Sequence, residues 1–188
     1  MLGNKQYCYP LTISDFTSRF LIVCEALETT KEKFAFTVFE RVFLEFGLTL
    51  AIRTDNGVPF AAPNSLFGLS KLSVWWLRLG IAIERIKPGN PQQNGRQERI
   101  HLTLKKETVR PAGENLLQQQ EKFDDFIAEY NCERPHEALQ MKAPVRAHLH
   151  QKDEEQLLPG TQWTSGRNQT GRRKNLARNL YELRLGLL

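Results

Sequence analysis

Residues 29–57, TTKEKFAFTVFERVFLEFGLTLAIRTDNG, decide the fold class. Thr29 and Glu32 stand at capping-box spacing, the start signal of a helix. Behind them Phe34, Ala35, Val38, Phe39, Val42, Phe43 and Phe46 recur at intervals of three and four. That period places them on one apolar helix face, and the aromatic stripe reads as core rather than as a cofactor box. Gly47 ends the helix. Residues 49–54 then read as a short buried strand, closed by the turn formers Asp55-Asn56-Gly57. A helix passing straight into a buried strand is a building block of layered α/β folds.

Working outward, residues 6–14 and 19–27 are rich in aromatic and β-branched types and are separated by polar Asp15 to Ser18. They read as a β-hairpin, with Pro10 predicting an edge position or an irregularity in its first strand. Residues 70–79 predict a second helix stopped by Gly80, and Ile81, Ile83 and Ile86 a strand beyond it. Residues 88–95 are a loop by composition, followed by helices over about 96–109 and 115–131. The order β-β-α-β-α-β-α-α predicts a mixed sheet with helices on its faces. From about Gln151 onward apolar periodicity fades, so the chain divides into a body, 1–150, and a basic, poorly ordered tail, 151–188.

Composition narrows the function classes. No apolar run approaches the roughly 18 residues of a membrane span. The three cysteines, Cys8, Cys24 and Cys132, form neither a zinc spacing nor a disulfide framework, which makes a reducing cytoplasm the default. The net charge of +5 is unevenly placed. Residues 161–188 carry six Lys/Arg and one acid, and residues 85–110 carry seven Lys/Arg against Glu98 and Glu107. Clustered cations point to a polyanion such as nucleic acid, with a solvated face as the plain alternative.

Two acids stand apart from ordinary surface. Asp55 ends a buried strand, where sheet enzymes place reactive groups. Glu98 falls in the first turn of a helix behind a Gly-containing loop, flanked by Arg96 and Arg99. Glu98, His101, Leu102 and Lys105 share helical spacing, with Lys106 beside them. A carboxylate with cations along the same helix is the equipment of a metal-dependent phosphodiester enzyme, the acid for Mg²⁺ and the cations for phosphates. A first-turn Glu favoured by the helix dipole is the structural alternative.

Three segments carry a resemblance. Thr54-Asp55-Asn56-Gly57 with Phe60 resembles the second catalytic motif of integrase-core DDE transposases, which include retroviral integrases and bacterial insertion-sequence transposases. Asn90-Pro91-Gln92-Gln93-Asn94-Gly95-Arg96-Gln97-Glu98-Arg99 is similar to the third, Glu-bearing motif. Tyr130-Asn131-Cys132-Glu133-Arg134-Pro135-His136-Glu137-Ala138-Leu139, with Pro144 after it, resembles the segment that follows in bacterial members and is read as organising structure. The resemblance implies a ribonuclease H-like α/β fold and an enzyme of DNA integration and transposition. Two Mg²⁺ (or Mn²⁺) ions among three carboxylates would serve strand cleavage and transfer. By the same resemblance Asp55 and Glu98 match two catalytic metal ligands, Lys105 a DNA-end contact, and Arg96, Arg99 and Lys106 phosphate contacts. It implies DNA as partner, a homo-oligomer or association with full-length transposase subunits, no membrane, and a cytoplasmic, nucleoid-associated site of action.

The family's first catalytic Asp lies on a strand before the hairpin. Only five residues precede the hairpin here, which predicts an N-terminally truncated copy whose first, central strand is missing. Asp15, inside the hairpin, is the disfavoured alternative for that ligand. Two unpaired inner sheet edges and an impaired or non-catalytic, DNA-binding remnant are the expected consequences.

Overall fold

The computed structural model describes residues 1–55, 57–62, 65–86, 95–157 and 176–185. The hairpin forms as β1 (Tyr9–Asp15) and β2 (Leu21–Leu27), paired antiparallel with an irregularity at Ile13/Ser14. Helix α1 (Glu32–Phe46) buries Ala35, Val38, Phe39 and Val42, and Gly47 ends it at φ 84°. The predicted capping box is absent. Lys31 is the N-cap residue and makes no side-chain cap. Glu32 instead turns to the next helix, α2 (Lys71–Arg78), where its Oε1 accepts the Lys71 amide at 3.0 Å. The first amides of a helix have no partner inside it, and a carboxylate there also meets the positive end of the helix dipole.

Between those helices runs β3 (Leu48–Thr54), and after α2 comes β4 (Ala82–Arg85), parallel to β3. Helices α3 (Gly95–Thr108), α4 (Leu116–Cys132) and α5 (Pro144–Leu157) follow. The last strand, β5 (Leu176–Leu185), completes a five-stranded mixed sheet in the order β2-β1-β5-β3-β4.

Strand β5 corrects the sequence reading of the tail. Of the residues expected to be poorly ordered, 151–157 extend α5 and 176–185 supply the centre of the sheet, while 158–175 and 186–188 lie outside the described residues. Leu11 to Asp15 pair antiparallel with Leu185 to Tyr181, and β3 pairs parallel from Leu48↔Leu176 to Arg53↔Glu182. The position expected to stand empty is thus filled, and β1 and β3 are paired on both sides. The apolar alternation of β5 is short: Tyr181 and Leu183 are buried, with Glu182 between them. Two buried side chains suffice because both neighbours also offer a backbone ladder. The expectation for Pro10, an edge position or an irregularity in the first strand, agrees with the irregularity at Ile13/Ser14. The residue lies on an interior strand, but β5 reaches only Leu11 to Asp15, so Pro10 sits where β1 has one partner.

Both sheet faces are covered. Leu11, Ile13, Ile52, Tyr181 and Leu183 pack with Val38, Phe39 and Trp76 of α1 and α2. Cys8, Leu21 and Cys24 pack with Ile100, Leu104, Phe123 and Phe126 of α3 and α4. All three cysteines are free thiols, and burial pushes that of Cys8 up to about 11. Among the described residues no helix is long and apolar enough to cross a membrane.

Tyr181 is 1% exposed in the larger core. Tyr181→Ala is expected to cost about 3–5 kcal/mol of unfolding free energy, read from urea titrations followed by near-ultraviolet circular dichroism. A loss comparable to that of a surface substitution would remove β5 from the core.

Candidate functional site

Helix α3 is fixed to the sheet by its buried side. Ile100 and Leu104 enter the smaller core. Gln97 is buried; its Oε1 accepts the Thr12 hydroxyl at 3.4 Å, and its Nε2 donates to Ser14 Oγ at 2.5 Å and to the Glu182 carbonyl at 3.0 Å. One side chain therefore ties the start of α3 to both β1 and β5. His101 joins this side, its Nε2 lying 2.8 Å from Thr12 Oγ1. It leaves the outer face to Glu98, Leu102 and Lys105, which are exposed, as are Arg96, Arg99 and Lys106.

Asp55 follows the last residue of β3 and is half-buried. Its Oδ1 accepts the Gly57 amide at 3.1 Å, an Asx turn that fixes the carboxylate at the strand end. Asn56 and residues 87–94, which include most of the Gly-containing loop, lie outside the described residues. Asp15 is buried in the β1–β2 turn, where Oδ2 accepts the Ser18 amide at 2.7 Å and the Ser18 hydroxyl at 2.6 Å. Its pleat position follows Leu11 and Ile13, on the α1/α2 side of the sheet.

The ends of the relevant elements meet at one aromatic ring. The guanidinium carbons of Arg96, Arg53 and Arg19 lie 4.2, 4.9 and 5.3 Å from the centroid of Phe16. Arg53 stands two residues before Asp55, and Arg96 two before Glu98. Arg53 is also the hub of an ion-pair row, 2.7 Å from Glu84 on β4 and 3.1 Å from Glu182 on β5. Burial raises the Glu182 carboxyl above its usual 4.5, and Arg53 opposes the rise. Burial, and next the charge of Arg96, lower Arg19.

The Arg-Pro-His segment organises the junction of α3 and α4. Arg134 bonds Glu107 at 2.7 Å and Glu129 at 3.1 Å and lies over the rings of Phe126 and Tyr130. His136 packs edge-on against Tyr130, with centroids 5.1 Å apart. Burial, then Arg19, Arg134 and Arg99, hold the His136 imidazole below its usual range.

A divalent metal would need oxygen donors. Carboxylates on a rigid strand end and an exposed helix turn have the hard-donor chemistry that Mg²⁺ or Mn²⁺ takes. Among the described residues, however, no group of three or more His, Cys, Asp or Glu is close enough to hold an ion. Phe16, Arg19, Arg53, Gln97 and Glu182 carry much of this site's geometry, and none was singled out from the sequence as a site residue. Their advance sign is position: Arg53 and Gln97 lie close to the motif acids, and Glu182 is the one acid of residues 161–188.

Removing Arg53 strands a buried carboxylate. Glu182, raised in the folded state, binds its proton more tightly there than when unfolded, so stability falls as pH rises through its folded value. Without Arg53 that fall steepens. Arg53→Gln is expected to lose about 2–3 kcal/mol at neutral pH, with the deficit shrinking below pH 4.5, the ordinary value of the group. Denaturant titrations at pH 4 and pH 7 make the comparison, and an equal deficit at both would remove Glu182 from the account.

The segment from Leu79 to Pro144, which spans β4, α3 and α4, matches the family model described as integrase core domain. The fold agrees: a mixed five-stranded sheet with helices on both faces is the layered architecture that the motif resemblance implies. Over residues 79–144 the chain is thus similar to an integrase core domain, and the mixed sheet flanked by helices is consistent with that likeness.

Proposed function

We propose that this chain acts on DNA in integration or transposition, with Asp55 and Glu98 as the carboxylates for a divalent ion. Arg96, Arg99, Lys105 and Lys106 contact the phosphate backbone. The observation that carries this reading is the shared ring of Phe16. Arg53 and Arg96, each two residues ahead of a motif acid, lie 4.9 and 4.2 Å from it. Side chains from the end of β3 and from the first turn of α3 thus reach one ring, although 43 positions separate Asp55 from Glu98 in the numbering. An ion held by these carboxylates would polarise phosphodiester oxygens and lower the pKa of an attacking hydroxyl or water. The protein's own part is to hold the backbone by the outer face of α3 and to keep that helix in register through Gln97.

The second reading, a non-catalytic DNA-binding protein that joins full-length transposase subunits, draws on Glu182. It is a carboxylate on the central strand, and it is engaged by Arg53 at 3.1 Å. In that reading the DNA surface persists and turnover is impaired or absent.

Two measurements test these readings. Mn²⁺ titrated into labelled protein is expected to broaden NMR signals of Asp55 and Glu98 together, with the effect lost in Asp55→Asn and Glu98→Gln. Broadening of neither, or of one alone, would end the shared-ion assignment. Glu98→Gln is expected to leave DNA affinity, read by fluorescence anisotropy, unchanged within about twofold, since affinity comes from the cations. Mg²⁺-dependent joining of transposon-end DNA by the unaltered chain, abolished by Glu98→Gln, decides for the enzyme. No joining, with DNA binding intact, decides for the binding protein.

A further inference from the structure

We propose that Arg19 and Arg96, arrayed beside Phe16, form a clamp for a phosphate group, supplied by the backbone of nucleic acid lying across the strand ends. The clamp rests on the DNA-acting reading for the source of its ligand, but not for its geometry. Three elements deliver the parts: the β1–β2 turn gives Phe16 and Arg19, β3 gives Arg53, and the first turn of α3 gives Arg96.

The nearby acids are committed elsewhere. Glu182 and Glu84 both bond Arg53, which forms the neutralised back of the cluster. Asp15 accepts from Ser18 through its amide and its hydroxyl. Arg19 and Arg96 make no ion pair among the described residues. Arg19 donates from its side chain to the Phe16 carbonyl in its own turn, and among the described residues this is its one side-chain hydrogen bond, so its guanidinium keeps donors to offer.

Two like charges are thus held near one ring, and the acid that faces both, Glu182, is already bonded to Arg53. Burial and then the charge of Arg96 lower the affinity of Arg19 for its proton, and Glu182, Tyr130 and Asp15 offset this only in part. An anion reverses that repulsion. Holding the guanidiniums against an aromatic face limits their freedom before the ligand arrives, which reduces the ordering cost of binding. The planar fork of Arg suits the tetrahedral, multiply accepting phosphate. Arg19 adopts φ 63°, and the turn that imposes this uncommon conformation fixes where its side chain starts. The positive potential continues past the clamp, since Arg19, Arg99 and Arg134 all act on His136.

The test uses the full chain with two probes, inorganic phosphate and a short DNA duplex. Arginine Nε–H signals and the His136 imidazole are followed by NMR, and DNA affinity by anisotropy across a salt series. Both probes are expected to shift Arg19 and Arg96 and to raise the His136 titration midpoint. Arg96→Gln, on an exposed helix turn with little folding risk, is expected to weaken DNA binding about tenfold and to lower the salt slope by about 1. Arg19→Lys keeps the charge but loses the fork, and is expected to weaken binding by a smaller factor. Unchanged affinity and slope in both variants, with DNA still bound, would overturn the clamp and leave the DNA-acting reading standing. If inorganic phosphate moves both arginines but DNA does not bind, the clamp stands as a site for free phosphate and the DNA-acting reading falls.

Discussion

The double ladder of β5 is the constraint on which the rest of the molecule depends. Without it the sheet is two separate ribbons, the β1–β2 hairpin and the parallel pair β3–β4. Two-stranded ribbons are marginal in water, and here each would expose an inner edge of unpaired amides and carbonyls. With β5 in place, Tyr181 and Leu183 join the two halves of the larger core. Its Glu182 carbonyl gives Gln97 an anchor for α3. The positions of both motif acids follow from that single strand, because one sits at the end of β3 and the other on the helix that Gln97 fixes.

A polar row crosses the same strand. Ser14, Glu182, Arg53 and Glu84 occupy paired positions on β1, β5, β3 and β4. Placing a buried carboxylate in a sheet is costly, and Arg53 offsets that cost only in one alignment. A slip of one residue would turn Glu182 toward the apolar face packed by α1 and α2 and move Tyr181 out of it. The row therefore discriminates between registers, which the short apolar alternation of β5 does weakly by itself.

Much of the architecture is legible in the order of residues. The hairpin, α1, β3, α2, β4, α3 and α4 are each announced by a period or a terminator, and Gly47 and Gly80 stop the helices they were read to stop. The failures share a cause. The capping box and the poor order expected of residues 176–185 are local inferences overruled by partners distant along the chain. Glu32 is drawn to Lys71, β1 acquires β5, and residues 176–185 gain order from two ladders at once. At the site, motif spacing singled out Asp55, Glu98 and the cations of α3. It was silent on Phe16, Arg19, Arg53 and Glu182, whose roles arise from where the sheet brings them and not from their immediate sequence neighbours.

The placement of β5 also sets a schedule. The strand at the middle of the sheet is the last of the five to leave the ribosome, and its pairing of Leu185 with Leu11, 174 positions apart, closes a very long loop. Such distant pairing is slow to nucleate, because chain entropy is lost before the contacts repay it. The nascent hairpin and the β3–β4 pair must wait side by side with an open groove between them. During that interval the growing chain is a substrate for chaperones, and a competing extended segment from another nascent copy is its natural misfolding partner.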